Sequence, residues 1–359
     1  MSDGNPSTRV RDEDAFDLDA VVAWLRDHAE RPVPDGLPEV TQFPGGASNL
    51  TYQLSWPETD WILRRPPVGA KAKSAHDMGR EHRIQSALAP VFPLVPRMIG
   101  HCTDESVIGS AGGGGEFYVM EKVRGDIPRR DLPWELTPEQ GDRLCRDAWD
   151  VLARLHSVDV DAVPELAAMN RGAGYVARQV AGWTDRLAKA ATDDLGDWSP
   201  ITTWLAAHQP DDVAQCLIHN DFRLDNLVFA HEDPHDVVGM LDWEMATVGD
   251  PLMDLGGALA YWVTDADDEF FRMFRRQPSN APGMWSREQI RDAYCERMGF
   301  AMDEQRWRFY EVFGLFRLAV IAQQIWYRYY HRQTTNEAYS VFGPAVGYLE
   351  QRCRALLAS

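Results

Sequence analysis

Cationic residues are scarce in this chain. Of its 359 residues, 36 are Lys or Arg and 55 are Asp or Glu, a formal net charge of −19. That balance excludes a general nucleic-acid binder and a protein held on anionic membranes by charge. Cysteine is sparse too: Cys102, Cys145, Cys216, Cys295 and Cys353 are odd in number and far apart, with no CxxC pair. A disulfide frame and a cysteine-built zinc site are therefore not expected, and reduced thiols in a cytoplasmic protein are. Long apolar runs are missing, and no window approaches the ~18 uninterrupted apolar residues of a membrane span. The most apolar late stretch, 315–326, is broken by Arg317, Gln323 and Gln324. The opening MSDGNPSTRVRDEDAFD is polar and acidic, without the apolar centre of a signal peptide. Neither an internal repeat nor a G-x-G-x-x-G motif is present. What remains, 45% hydrophobic and 25% charged residues, is the composition of an ordinary globular protein with a sizeable core.

The stretch that organises the chain is 216–254, CLIHNDFRLDNLVFAHEDPHDVVGMLDWEMATVGDPLMD. Two apolar, β-like runs, 216–218 and 237–241, each deliver acidic or amide side chains just past their ends. His219, Asp221 and Asn226 follow the first; Asp242 and Glu244 follow the second. Phosphoryl transfer from Mg-ATP needs such a set. One carboxylate orients the attacking hydroxyl and takes its proton, while an amide and a second carboxylate hold the metal on the phosphates. The interval from Asp221 to Asn226 equals that of the kinase catalytic loop H-R-D-x-x-x-x-N, and Asp242-Trp243-Glu244 stands where D-F-G follows.

With its continuation Gly249-Asp250-Pro251-x-x-Asp254-Leu255, this ordered set resembles the aminoglycoside phosphotransferase family, which shares the protein-kinase fold. The stretches RLAVIAQQIWYR and LRRPP further resemble the kinase-like domains related to those fused to acyl-CoA dehydrogenases. The likeness runs over about residues 40–330. It implies an α+β, protein-kinase-like two-lobe fold. A disordered tail is expected at 1–14, a nucleotide-binding lobe with an antiparallel sheet and one helix at 15–124, and a mainly helical catalytic and substrate-binding lobe at 125–359.

The resemblance also implies roles. Residues 40–54 read as strand, glycine turn, strand; alone this is a hairpin, but ahead of the other elements it reads as a phosphate cover. Gly45 and Gly46 would bring backbone N–H groups to ATP, with Ser48 and Asn49 adding side-chain bonds. Arg64 stands at the strand position where the family carries a Lys, and Glu81 on the next helix stands where its partner would be. Arginine can clamp phosphate bidentately, so the role is chemically open to it. Arg65, Lys71 and Lys73 are alternative cations, expected on a solvated loop. Adenine would bond backbone groups near Glu121 and Val123, and Gly125 would mark the lobe boundary. Asp221 is the expected base, Asn226 and Asp242 the expected Mg²⁺ ligands through oxygen. Glu244 reads equally as a second metal contact or a loop anchor. Arg223 reads as a cation for the moving phosphoryl group or as a salt bridge that shapes the loop. His219 is expected to orient the loop, and His156, Asp250 and Asp254 to be structural.

These features predict an ATP- and Mg²⁺-dependent phosphotransferase acting on a hydroxyl of a small molecule, either aminoglycoside-like or a metabolite such as a hydroxyacyl thioester. No nucleic-acid or membrane partner is expected, and nothing speaks to oligomeric state. The alternative is a catalytically weak or dead nucleotide-binding module that works by association; Arg64 and the incomplete glycine motif favour it. A metal-hydrolase reading is weaker, since one His among carboxylates does not make a zinc site.

Overall fold

The computed structural model describes residues 7–43, 49–67, 77–108 and 115–358. The small lobe is built in chain order from β1 (Thr8–Arg9), α1 (Leu18–His28), β2 (Glu39–Gln42), β3 (Leu50–Ser55), β4 (Asp60–Arg65), α2 (Met78–Leu88), β5 (Met98–Cys102) and β6 (Phe117–Glu121). The strands form one sheet in the order β1-β2-β3-β4-β6-β5, antiparallel at every pair. Both faces are covered. Side chains alternate along a strand, so Trp61 and Leu63 join Val21 and Leu25 of α1, while Ile62 and Tyr118 join Met78 of α2. Arg64 falls on the α2 face and Arg65 on the α1 face.

That alternation corrects one expectation. Arg65 is no solvated loop cation: it is 1% exposed, and donates to the Tyr52 hydroxyl and to the Asp14 carbonyl at 2.7 Å. Of the tail expected at 1–14, residues 1–6 lie outside the described residues, and Thr8, Arg9 and Asp14 bond to β2. Thr8 pairs with Gln42, and the Asp14 carboxylate accepts from Gln42 Nε2 at 2.8 Å. A buried guanidinium needs acceptors, and the Asp14 segment supplies one. Lys71 and Lys73 lie outside the described residues.

The large lobe follows as α3 (Pro138–His156), α4 (Pro164–Ala167), α5 (Tyr175–Lys189), α6 (Ser199–Ala207), β7 (Cys216–Ile218), β8 (Leu227–Ala230), β9 (Asp233–Met240), β10 (Thr247–Gly249), α7 (Pro251–Leu259), α8 (Glu269–Arg272), α9 (Arg287–Met298), α10 (Glu304–Tyr330) and α11 (Phe342–Ala358). Capping boxes start α3, through Thr137 and Gln140, and α9, through Ser286 and Gln289. The two apolar runs of the organising stretch do not pair with each other: β7 pairs with β10, and β8 with β9. A 3-10 turn at Glu337–Val341 leads into α11. Gly314 of α10 has a packing reason. A Cβ there would lie 2.2 Å from the Gly256 carbonyl oxygen, where α10 crosses α7.

Residues 122–126 carry the chain from β6 into the large lobe. Asp126 exchanges both backbone bonds with Phe229 of β8, at 2.7 and 2.9 Å. Gly125 has φ 157°, and a Cβ there would sit 2.2 Å from the Phe229 carbonyl oxygen, so only glycine fits. A second tie runs from Met240 N to the Leu94 carbonyl, at 2.7 Å. All five cysteines are buried and free. Among the described residues, no helix is long and apolar enough to cross a membrane.

Candidate active site

The catalytic-loop segment is fastened from behind. Asp254, near the start of α7 and 2% exposed, accepts from His219 N at 2.7 Å and Asn220 N at 2.8 Å. His156 Nε2 approaches the same carboxylate at 3.1 Å, and the other ring nitrogen meets the Tyr294 hydroxyl. Burial penalises the Asp254 charge, but His156 and the backbone donor outweigh it and hold the carboxyl below its usual range. Arg317 of α10 donates to the Asn220 carbonyl at 2.7 Å, and Gln277 accepts from Leu224 N at 2.8 Å. Asn220 can therefore be held at φ 64°, a left-handed conformation that a non-glycine residue adopts only when its surroundings impose it.

On this frame Asp221 and Asn226 meet: Asn226 Nδ2 donates to the Asp221 carbonyl at 2.8 Å and to its carboxylate at 3.2 Å. Asp242 arrives from the β8–β9 ribbon. Leu227 pairs with Met240, and Leu241 N donates to the Asn226 carbonyl at 2.8 Å. Asp242 too is left-handed, at φ 67°, ahead of the 3-10 turn Trp243–Met245. Trp243 anchors that turn: it is fully buried, donates to the Met240 carbonyl and stands edge-on to His219. His219 Nε2 faces the Leu241 carbonyl at 3.0 Å. It must carry the proton there, which suits an orienting residue and not a base.

Burial pushes the Asp221 carboxyl above its ordinary value; Arg223 opposes the shift and Asp242 adds to it. Arg223 stands 3.4 Å from the Asp221 carboxylate and 3.1 Å from that of Asp225, with its guanidinium 5.5 Å from the Tyr261 ring centre. It is thus salt-bridged and beside Asp221 at once.

The small lobe brings Arg64 to the same place. Arg64 Nη1 donates to Glu81 Oε2 and to the Tyr118 hydroxyl, each at 3.1 Å, and Nη2 lies 4.0 Å from Asp242 Oδ1. Asn49 Nδ2 donates to Glu81 at 3.3 Å and to Glu244 at 3.4 Å. Arg80 of α2 donates to the carbonyls of Glu244, at 2.8 Å, and Ala246. Glu244 is therefore a junction between lobes as well as a carboxylate near Asp242. Glu121 ends β6 with its side chain on Arg31 and its N–H on the Arg97 carbonyl. Val123 packs over Gly239, where a Cβ would come within 2.7 Å of it. Gly45, Gly46 and Ser48 lie outside the described residues.

Among the described residues there is no cluster of three His, Cys, Asp or Glu side chains suited to a metal. The expected donor set is of another kind, two carboxylates and an amide. One observation fits a hard cation there: Asp242 Oδ1 is buried and makes no hydrogen bond. Asn226 commits its nitrogen to Asp221, which leaves the amide oxygen for an ion.

A model of the phosphotransferase enzyme family matches residues 39–291. The chain belongs to that family. Among curated proteins, this chain is 34% identical over 354 residues to acyl-CoA dehydrogenase family member 10 of Mus musculus, covering 97% of this chain and 31% of that protein. It is 33% identical over 337 residues to family member 11 of Homo sapiens, covering 92% and 42%. The chain thus spans less than half the length of these relatives. Among solved structures, a candidate aminoglycoside phosphotransferase from Ralstonia eutropha JMP134 superimposes with a TM-score of 0.78 at 29% identity, covering 95% of this chain and 98% of that one. The streptomycin–ATP–APH(2″)-IIa ternary complex matches with a TM-score of 0.55 at 14% identity, covering 92% and 95%, a likeness of fold alone. The protein-kinase-like two-lobe architecture and the acyl-CoA-dehydrogenase-associated subgroup both agree with the sequence reading.

Several residues of this site escaped the sequence reading: Tyr118, Arg80, Gln277, Tyr294 and the anchoring role of Arg317. Arg317 did leave a signal, as the one cation inside the apolar stretch 315–326.

Proposed function

We propose that this phosphotransferase moves the γ-phosphate of Mg-ATP to a hydroxyl of a small molecule. The observation that carries the reading is the meeting of Asp221, Asn226 and Asp242, with Asp242 Oδ1 buried and without a hydrogen bond. A scaffold has no use for that arrangement. Magnesium, when bound, supplies charge neutralisation on the phosphate oxygens. Asn226, Asp242 and, from further out, Glu244 are the residues that would hold it.

Asp221 orients the acceptor hydroxyl and takes its proton; its raised pKa suits a base working nearer neutrality than a free carboxylate. Arg223 steadies that carboxylate and adds positive charge beside the reacting centre. Arg64, fixed by Glu81, faces the phosphates. Asn49 faces them from the small lobe. The backbone at Glu121 and Val123 receives adenine.

The acceptor's place is supported by a cavity of about 230 Å³ between α7, α8, α10 and α11. It reaches the catalytic loop at Arg223, beside Tyr261, and runs back along Leu318, Ile321 and Ile325. Among the described residues its charged lining consists of Arg223 and Arg276, with no carboxylate. A polycationic aminoglycoside would meet two guanidiniums there. An acyl chain bearing a hydroxyl and an anionic or polar head matches apolar walls with a cationic mouth, so we favour a hydroxyacyl thioester. Buried, free cysteines fit a cytoplasmic setting for such an enzyme.

The test is a transfer assay. Protein, Mg-ATP and a panel of hydroxyacyl-CoAs, amino alcohols, sugars and aminoglycosides are incubated, and products heavier by one phosphoryl group are sought by mass spectrometry. The expected result is a phosphorylated hydroxyacyl product that disappears with Asp221→Ala. Phosphorylation of an aminoglycoside alone would overturn the acceptor assignment. Absence of any product together with absence of Mg-ATP binding would overturn the phosphotransfer reading.

A further inference from the structure

Tyr118 of β6 sits directly across the sheet from Arg64 of β4. It is fully buried on the face covered by α2, among Ile62, Met78, Met98 and Met120. A tyrosine so enclosed needs a partner for its hydroxyl, and this one has two of opposite kind. The oxygen accepts from Arg64 Nη1 at 3.1 Å, and its proton goes to Glu81 Oε2 at 2.5 Å. Arg64 Nη1 also donates to that same Glu81 oxygen, at 3.1 Å. The three groups close a triangle.

The triangle matters because arginine is planar. A lysine ammonium needs one carboxylate to fix a point charge; a guanidinium must also be fixed in rotation, or its remaining donors sweep an arc. Glu81 alone leaves that rotation open. The Tyr118 oxygen supplies a second point on the same nitrogen, out of line with the first. The rest of the guanidinium is left uncommitted on one side: Nε is buried without a hydrogen-bond partner, and Nη2 points toward Asp242 at 4.0 Å. A buried donor with no acceptor is unfavourable until an anion meets it. Burial works against the Arg64 charge, but the carboxylates of Glu81, Asp242 and Glu244 oppose it, and the guanidinium stays charged. Burial likewise keeps the phenol protonated.

We propose that Tyr118 is a positioning residue for the nucleotide phosphates: by holding the plane of Arg64, it aims the Nε–Nη2 edge at them. The inference rests on the reading of this cleft as a nucleotide site. It also explains how an arginine serves where relatives with a kinase fold use lysine.

The test is a double-mutant cycle on Mg-ATP binding, measured by calorimetry, in the full chain. Its four proteins are the native chain, Tyr118→Phe, Arg64→Lys and the double variant. Tyr118→Phe removes one oxygen and keeps the ring. It is expected to weaken Mg-ATP binding about five- to tenfold, the size of one ordinary hydrogen bond, and to raise KM for ATP equally while leaving KM for the acceptor alone. In the Arg64→Lys background the same change is expected to cost nothing, because an ammonium has no plane to hold. Full nucleotide affinity in Tyr118→Phe, or an equal loss in both backgrounds, would overturn the proposal and leave the phosphotransfer reading standing. No Mg-ATP binding by the native chain would overturn both. If Tyr118→Phe does not fold, Tyr118→Met, matched to its methionine-rich surroundings, completes the same cycle.

Discussion

The two lobes hold their reactive side chains by different means. In the large lobe Asp221 is placed by its backbone: Asp254 grips the N–H groups of His219 and Asn220, Arg317 grips the Asn220 carbonyl, and Gln277 grips Leu224 N. In the small lobe Arg64 is placed by its side chain, through Glu81 and Tyr118, with Asn49 bridging Glu81 to Glu244. A loop fixed through main-chain atoms tolerates exchange of the side chains it presents. A cation fixed through its own tip depends on the identity of each neighbour. Changes in the large lobe should therefore separate cleanly into chemistry and loop placement, whereas changes in the small lobe should all report on nucleotide.

The largest effect belongs to Asp221→Asn. It keeps the shape and the frame behind the loop and removes the base. Turnover is expected to fall about 10²–10⁴-fold with Mg-ATP affinity retained, read from single-turnover transfer and calorimetry. A comparable loss of nucleotide affinity would break the division between the lobes.

Asp254→Asn comes next, because it attacks the frame. An amide offers one acceptor oxygen where His219 N, Asn220 N and His156 now share two. At least one buried N–H is left unpaired, at about 1–3 kcal/mol. The expected outcome is a Tm lower by several degrees and a reduced kcat, with KM for ATP little changed. Unchanged turnover would show that the loop does not depend on Asp254 for its shape.

The same contrast explains what the sequence could reveal. Asp221, Asn226 and Asp242 were legible because their relation is local: a fixed interval along one loop, then the end of the next ribbon. The pairing of Arg64 with Glu81 followed from element order. Tyr118 was not legible, since its partners lie 54 and 37 residues away and nothing in EFYVMEKV marks one residue as polar-bonded. Arg65 was misread for a related reason. In LRRPP it looks like the start of a loop, yet strand alternation turns it inward and its acceptor, Asp14, comes from 51 residues upstream. The interface roles of Arg80 and Glu244 were hidden likewise by a separation of 164 residues.

Arg80→Met sharpens the comparison from the small-lobe side. It keeps a long apolar stem but removes both donors to the Glu244 and Ala246 carbonyls. If α2 is what seats the acidic turn against the small lobe, KM for ATP should rise a few-fold while acceptor KM and thermal stability stay near native. A change confined to acceptor KM would place the turn under large-lobe control alone.

The smallest effect separates the lobes by the sign of their response to pH. In the small lobe, burial and the neighbouring His101 and Arg83 lower His82 to about 4, below its ordinary 6.5. Between those values the unfolded chain takes up a proton that the native chain refuses, so stability rises with pH. In the large lobe, burial raises Asp250 to about 6 against bonds from Val213, Met253 and Leu252 N–H. There the native chain keeps a proton the unfolded chain has lost, and stability falls as pH rises from 3.8 to 6. His82→Gln should therefore flatten the rise of Tm between pH 4 and 6.5. The partial exposure of His82 trims the effect through solvent screening. Asp250→Asn, which can still cap α7, should steepen the rise between pH 4 and 6. Its lost acceptor for Val213 N lowers Tm at every pH and leaves the slope untouched. Shifts of slope in the same direction for both variants would show that one of the two groups does not titrate as its surroundings dictate.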